Sequence, residues 1–268
     1  MSNVEIFPPR DAVDDEVFDS NQLWVAPVEN DEPLPDKFLT PPFKNLRATK
    51  AWLDGSAAKT HPVISLLGAF HIAQTASARK YRSSNDNQLF LLLCVIARTG
   101  AGKDYIRKAH AQVYKESRPE VLHSGGFASA PGLFAALEGA GGILAPFIDE
   151  FGDFLKEAVS NKGSCKAGVV TLIRIVFSAG CTVIKPESTT ASGKTKEQVD
   201  HSKNRKIDTP CLPLLGLTTK NQLLDVVSDD LLNDGSINRF IFAPCYTTLF
   251  RSERTGCEPV RSDRKSVV

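Results

Sequence analysis

The feature that most constrains the fold is a continuous apolar run that leads directly into a glycine-containing loop. Residues 89–96 read Leu-Phe-Leu-Leu-Leu-Cys-Val-Ile, and residues 97–104 read Ala-Arg-Thr-Gly-Ala-Gly-Lys-Asp. An uninterrupted apolar run of this length between turn residues is typical of a central parallel strand that is covered on both faces. Residues 103–116 have the pattern of a helix. The order strand, glycine loop, helix therefore predicts an α/β fold.

Strand and helix patterns continue to alternate after this unit. Strands are predicted at residues 121–123, 142–148, 211–217 and 239–243, and helices at residues 130–138, 154–160, 167–179 and 220–227. This alternation predicts a central, mostly parallel sheet flanked by helices. Pro146 and Pro213 argue against two of the strands, because proline has no N–H group to donate to a ladder.

Composition divides the chain into four predicted parts. They are an acidic, proline-containing tail or arm at 1–40, a helical segment at 41–88, the α/β core at 89–245 and a carboxyl-terminal tail at 246–268, where we expect a truncated or divergent chain. The first 36 residues contain ten acids and one base, whereas the rest of the chain contains 31 bases and 21 acids. A basic body with an acidic tail suits a polyanion-binding protein whose tail masks it, and simple disorder of the tail is the alternative.

Cysteine and histidine spacing and apolar run lengths exclude several classes of protein. The six cysteines and five histidines do not occur at zinc-ligand spacing, so the only metal expected is magnesium bound with a nucleotide. The longest apolar run, 89–97, is much shorter than a membrane span. The amino terminus also lacks a basic stretch followed by an apolar segment. These features predict a cytoplasmic protein that does not bind membranes.

The loop is similar to the phosphate-binding pattern GxxxxGK[ST]. Its glycines let the backbone turn so that successive N–H groups point at a phosphate, and the start of the following helix adds a partial positive charge. We predict that it binds ATP and that the lysine bridges the β- and γ-phosphates. The predicted nucleotide-binding residues are Thr99, Gly100, Ala101, Gly102, Lys103 and Asp104.

Two positions of the loop depart from that pattern. Ala97 replaces the first glycine, which is tolerable if the residue does not need a positive φ. Asp104 replaces the hydroxyl residue that normally holds magnesium. A carboxylate also binds magnesium, but it adds negative charge beside the phosphates, so metal affinity and hydrolysis are open at this point. The alternative is a strand-to-helix turn that binds nothing.

An acidic pair follows the second buried run of the chain. Asp149 and Glu150 come directly after residues 142–148, and we expect their strand to lie next to the loop strand. In phosphoryl transfer to water, Asp149 would hold the magnesium shell and Glu150 would polarise the attacking water. Without the loop, such a pair is no more than the solvated end of a strand.

Two further candidates lie later in the chain. Thr219, at the end of a predicted strand, is a candidate to sense the γ-phosphate or to orient the water, and a helix N-cap is the alternative role. Arg239 is a candidate to present its guanidinium to the nucleotide of a neighbouring subunit, and a structural ion pair is the alternative.

Residues 185–206 form a polar segment with six bases and three acids. We expect a loop here that neutralises nucleic-acid phosphates, with a solvated loop as the alternative. Because the segment contains no Phe, Tyr or Trp to stack on a base, binding to single-stranded DNA should be weakly sequence-selective and sensitive to salt.

Several short segments together resemble one family. The chain from about residue 38 to residue 245 resembles the RecA-like ATPase domain of phage and prophage primase-helicases and plasmid replication helicases. The resemblance rests on the run from residues 38–42 (FLTPP) through 80–82 (KYR), and on residues 99–104 (TGAGKD), 149–152 (DEFG) and 238–240 (NRF).

The resemblance implies a P-loop NTPase of RecA-like type that binds ATP and Mg²⁺, acts on DNA as a replicative helicase motor and forms a homo-oligomer. It assigns Lys103 as the phosphate lysine, Asp149 and Glu150 as the acidic pair, and Arg239 as an arginine finger. The chain lacks a primase-like zinc or polymerase domain and ends soon after residue 245, so ring assembly and unwinding are open. The alternatives are a non-hydrolysing nucleotide-binding module in a replication assembly and a small-molecule P-loop kinase. The kinase is disfavoured because no arginine-rich lid segment is visible.

Overall fold

The computed structural model of the chain describes residues 36–160, 165–179, 182–186, 205–227, 235–245 and 250–251. All of these belong to one compact unit, Leu34–Val268. Almost all of the predicted acidic tail, most of the predicted basic loop and most of the predicted carboxyl-terminal tail lie outside the described residues.

Helices occupy much of the segment that precedes the sheet. They are α1 (Asp36–Leu39), α2 (Lys44–Ser56) and α3 (Pro62–Ser77), with the two-residue strand β1 (Lys59–Thr60) between α2 and α3. α3 begins with a proline, which fits the first helical position because the N–H group there has no partner within the helix. Ten residues of α3 are buried, so this helix is a core element that packs on the sheet.

The core is a five-stranded sheet in which every pairing is parallel, as predicted. Its strands lie in the order β3-β4-β7-β2-β8. They are β2 (Leu92–Ala97), β3 (Leu122–Ser124), β4 (Ala145–Ile148), β7 (Leu214–Thr218) and β8 (Phe240–Cys245). Two antiparallel pairs of short strands lie outside the sheet: β5 (Val183–Ile184) with β6 (Ile207–Asp208), and β1 with β9 (Phe250–Arg251).

Helices cover both faces of this sheet. The later helices are α4 (Asp104–Tyr114), α5 (Ala130–Gly139), α6 (Phe151–Ser160), α7 (Cys165–Ala179) and α8 (Lys220–Leu224). Alternate residues of β2 belong to two hydrophobic clusters, Leu93 and Val95 with α3 and α4, and Leu92 and Cys94 with α6 and α7. The connection from β2 to β3 runs across the sheet in the opposite direction to the later connections. Right-handed crossovers therefore place α4 on one face and α5 to α8 on the other.

The apolar run at 89–96 becomes a strand only at Leu92. Leu91 bonds to a side chain of α3 instead: its N–H donates to Gln74 Oε1 (2.8 Å), and its carbonyl accepts from Gln74 Nε2 (3.3 Å). Leu89 and Leu91 are exposed. The predicted strand start was therefore three residues too early, because apolar periodicity does not show which backbone groups have a strand partner.

Proline does not prevent either of the two doubted strands. Pro146 lies within β4 and is in register with His123 of β3, whereas the pairing of β4 with β7 begins one residue later, at Phe147. The missing N–H group of Pro146 therefore falls outside that ladder. Pro213 precedes β7, and its carbonyl accepts a hydrogen bond from His71 Nε2 at 3.1 Å.

Candidate functional site

The glycine loop connects the carboxyl end of β2 to the start of α4. Gly100 and Gly102 have φ angles of +77° and +80°, which L-residues with a side chain rarely adopt. A turn closes within the loop, where Ala101 N donates to Arg98 O at 3.1 Å. Ala97, which stands at the position of the first glycine of the pattern, is still part of β2 and extended. Its side chain is therefore compatible with the loop, as predicted.

The start of α4 is suited to an anion. Lys103 is the N-cap residue, its backbone is helical (φ −56°, ψ −33°), and no side chain caps the helix. Within the first turn, the N–H groups of Tyr105 and Ile106 bond to the carbonyls of Gly102 (3.5 Å) and Lys103 (3.3 Å). The helix start therefore offers an anion the N–H groups that precede Tyr105. Asp104 is the first residue of α4 and is exposed, where its carboxylate is favourable with the helix dipole but competes with a phosphate.

Asp149 and Glu150 lie at the same edge of the sheet as the loop, because β4 is parallel to β7 and β7 to β2. The prediction that their strand neighbours the loop strand is wrong. β7 lies between β2 and β4. The order of strands along the chain does not determine their order in the sheet, because a strand later in the sequence can lie between two earlier ones. The carboxyl end of β7 therefore lies between the loop and the acidic pair.

Glu150 is held in an uncommon conformation by a hydrogen-bond network. Its φ is +52°, and its N–H donates to Asp149 Oδ1 at 3.1 Å. Gln222 Nε2 donates to Glu150 Oε2 (2.6 Å) and to Asp153 Oδ2 (3.0 Å). Positive φ in a residue with a side chain costs free energy and is often found at functional sites. The network therefore fixes the orientation of the carboxylate.

Gln222 is the site residue that the sequence reasoning missed. Its Oε1 accepts from the N–H (3.1 Å) and the hydroxyl (3.0 Å) of Thr219, so its two amide ends join the end of β7 to the acidic pair. The Thr-x-x-Gln spacing of residues 219–222 is the capping-box pattern and could have drawn attention to it.

Thr219 itself is the N-cap of α8. Its hydroxyl accepts from Gln222 N (3.4 Å), and the reciprocal bond from Thr219 N completes a capping box. The structure thus corresponds to the alternative predicted for Thr219, a helix N-cap. Thr218, which precedes it, is fully buried.

Arg239 lies apart from the other candidates. It immediately precedes β8, and β8 is parallel to β2, so Arg239 is at the amino edge of the sheet and the glycine loop is at the carboxyl edge. Its guanidinium donates to the carbonyl of Gly235 (2.5 Å) and to the hydroxyl of Ser178 (3.3 Å). Within one chain, Arg239 therefore does not join the loop, and these two acceptors are neutral groups.

The predicted metal ligands are Asp104 and Asp149. Both carboxylates are exposed at the carboxyl edge, and oxygen donors of this type suit Mg²⁺. Within the described part of the chain, no group of three or more His, Cys, Asp or Glu residues is arranged to hold a metal ion by itself. A magnesium ion at this edge would therefore need further oxygen ligands from a phosphate and from water.

Cys94 lies within β2, the strand that leads into the loop, and Cys211 lies shortly before β7. Both are fully buried. Burial raises the pKa of the Cys94 thiol well above its usual range and that of Cys211 to about 12. Both thiols are therefore protonated at neutral pH and pack as small apolar groups.

Compared with known proteins, the chain matches no protein-family model and no curated protein. Across the residues that the structure describes, no helix is long and apolar enough to cross a membrane. The fold and the site define an α/β protein with an open parallel sheet, compatible with a Rossmann or a RecA-like fold. In such sheets, ligands bind outside the carboxyl ends of the strands, which is where the loop and the acidic pair lie.

Proposed function

We propose that the protein binds ATP and Mg²⁺ at the glycine loop and hydrolyses ATP as a RecA-like motor. One observation carries the proposal: a loop with two positive-φ glycines leads into a helix that has no side-chain cap, at the sheet edge that also holds Asp149 and Glu150. Backbone N–H groups of the loop would bind the β-phosphate, and Lys103 would bridge the β- and γ-phosphates.

The strand order supports hydrolysis more than simple binding. Because β7 lies between β2 and β4, the carboxyl ends of β2 and β4 are two strand spacings apart, about 10 Å. That distance leaves room for a γ-phosphate and an attacking water between Lys103 and Glu150. Asp149 and Asp104 would contribute to the magnesium shell. Glu150 would polarise the water while Gln222 orients its carboxylate.

The proposal includes DNA and a second copy of the chain as partners. Its basis is the resemblance to replication helicases together with the basic composition of residues 185–206, most of which lie outside the described residues. In that arrangement Arg239 would act on the nucleotide of a neighbouring subunit.

A non-hydrolysing nucleotide-binding module is the second candidate. Asp104 favours it, because a carboxylate at the first position of α4 adds negative charge where the pattern has a neutral hydroxyl that holds magnesium.

Phosphate release from ATP and Mg²⁺, with and without single-stranded DNA, tests the proposal. We expect turnover that rises with DNA and falls by about 100-fold or more in both Lys103→Ala and Glu150→Gln, since each removes a group that stabilises the transition state. Lys108→Ala, an exposed lysine of the same helix, is the matched control and should keep its activity.

Binding of the non-hydrolysable analogue AMP-PNP separates the candidates. Binding by the wild type without turnover would identify the non-hydrolysing module. Absence of AMP-PNP binding to the wild type would contradict both candidates.

A further inference from the structure

A second lysine, Lys59, contacts the glycine loop from outside the motif. It lies in β1, where its backbone is in register with Arg251 of β9. Its Nζ donates to the carbonyl oxygen of Gly100 at 3.0 Å. Lys59 precedes Gly100 by 41 residues, so no local sequence pattern links the two.

The backbone of Lys59 also packs on the loop. A Cβ atom placed on Gly102 would lie 3.0 Å from the carbonyl oxygen of Lys59 and 3.3 Å from its Cβ. The segment around Lys59 is anchored: Ala57 and His61 are buried, and the Thr60 hydroxyl donates to Asp54 O at 3.2 Å. The backbone and Cβ of Lys59 are therefore held against the loop, while the residue as a whole is exposed to solvent.

The formal charges of the loop residues bear on the role of Lys59. Lys103 and Asp104 are consecutive and carry opposite formal charges, so together they contribute no net charge toward a phosphate group. Arg98 and Lys59 add two positive charges at the loop, and both residues are exposed. Lys59 thus adds a positive charge beside a loop in which the formal charges of Lys103 and Asp104 cancel.

We propose that Lys59 is a phosphate-binding residue of the nucleotide site, an inference that rests on the proposed ATP binding. When a nucleotide is bound, the ammonium group of Lys59 exchanges the neutral carbonyl of Gly100 for a phosphate oxygen. A hydrogen bond between two charged groups is roughly twice as strong as one to a neutral acceptor. The flexible four-carbon stem of lysine lets the ammonium group move to it without moving β1.

The test is calorimetric titration of the full chain with AMP-PNP and Mg²⁺. We expect Lys59→Met to weaken binding by about tenfold or more, because a charge-assisted hydrogen bond is lost. Lys59→Arg, which keeps the positive charge, should restore most of the affinity. Lys44→Met removes an exposed lysine from the first turn of α2 and should bind like the wild type.

Thermal unfolding separates a binding role from a structural one. The nucleotide-free Lys59→Met variant should unfold at the wild-type temperature, and only the stabilisation by AMP-PNP should be smaller. Unchanged binding in Lys59→Met, combined with lost binding in Lys103→Ala, would overturn the role of Lys59 and leave the proposed function standing. Equal weakening in Lys59→Met and Lys44→Met would also overturn it. A wild type that does not bind AMP-PNP would overturn both proposals.

Discussion

Gln222 shows how much of the candidate site depends on a single amide. Its oxygen accepts from the backbone and hydroxyl of Thr219, so its nitrogen must face the carboxylates of Glu150 and Asp153. Glu150 has positive φ and lies at an exposed strand end. In the proposed mechanism, the direction of the Glu150 carboxylate therefore depends on Gln222, which acts as a positioning residue.

Gln222→Leu should separate chemistry from binding. We expect turnover of ATP to fall by about tenfold or more, while affinity for AMP-PNP stays within about twofold, because the glutamine orients Glu150 and does not contact the loop. Steady-state phosphate release and calorimetry measure the two quantities. Asn221→Leu, at the exposed neighbouring position, is the control. An equal loss of affinity and turnover would argue against the positioning role.

The contact between α6 and α8 brings the acidic pair and the capping box together. Gly152, in the first turn of α6, permits it: a Cβ there would lie 2.6 Å from Thr218 Oγ1 and 2.9 Å from the backbone carbon of Gln222. A clash with backbone cannot be relieved by a change of rotamer. The two helices must therefore move apart if residue 152 carries a side chain.

Gly152→Ala should lower the free energy of unfolding by about 1–3 kcal/mol, as overpacking of a close contact does. It should also reduce ATP turnover, because Gln222 moves away from Glu150 with α8. Urea unfolding and phosphate release measure the two effects. Gly55→Ala is the matched control, because nothing lies within 4 Å of its added Cβ and the residue is exposed near the end of α2. A Gly152→Ala variant as stable as Gly55→Ala would contradict the close contact.

Across the whole molecule, acid stability depends on a buried pair of histidines. His71 and His110 pack with ring centroids 4.4 Å apart, and His71 Nε2 donates to the carbonyl of Pro213 before β7. Burial lowers the pKa of His110 to about 4 and, together with the nearby His110, lowers the pKa of His71 well below its usual range. Both imidazoles are therefore neutral in the folded protein at neutral pH.

The unfolded chain binds protons at these histidines with a pKa near 6.5, whereas the folded chain resists protonation. The stabilisation is therefore complete above about pH 7 and is lost as the pH falls toward 4. For His110 alone, the lost stability amounts to about 3 kcal/mol. Urea unfolding at pH 7.5, 6, 5 and 4.5 should show this decline, and His110→Gln should make it shallower. An identical slope in that variant would contradict the prediction.

The α/β class, the parallel sheet and the position of the glycine loop between a strand and a helix were predictable because each depends on residues close together in sequence. A strand that is buried on both faces of its sheet is a continuous apolar run in the sequence, as β2 shows. Asp149 and Glu150 were found for the same reason, since they directly follow a buried strand. ATP, Mg²⁺ and DNA remain predictions, and so does the role of Arg239 at another subunit.

Tertiary structure alone decided which distant groups meet. The strand between β2 and β4, the edge that Arg239 occupies, and the contacts of Gln222 with Glu150 and of Lys59 with Gly100 all join residues far apart in sequence. The local sequence pattern does not predict such contacts, because they depend on which crossover skips a strand and on which helices pack together. Local sequence therefore determines the elements and which residues stand at their ends, and the packing of the sheet determines how those ends are combined into a candidate site.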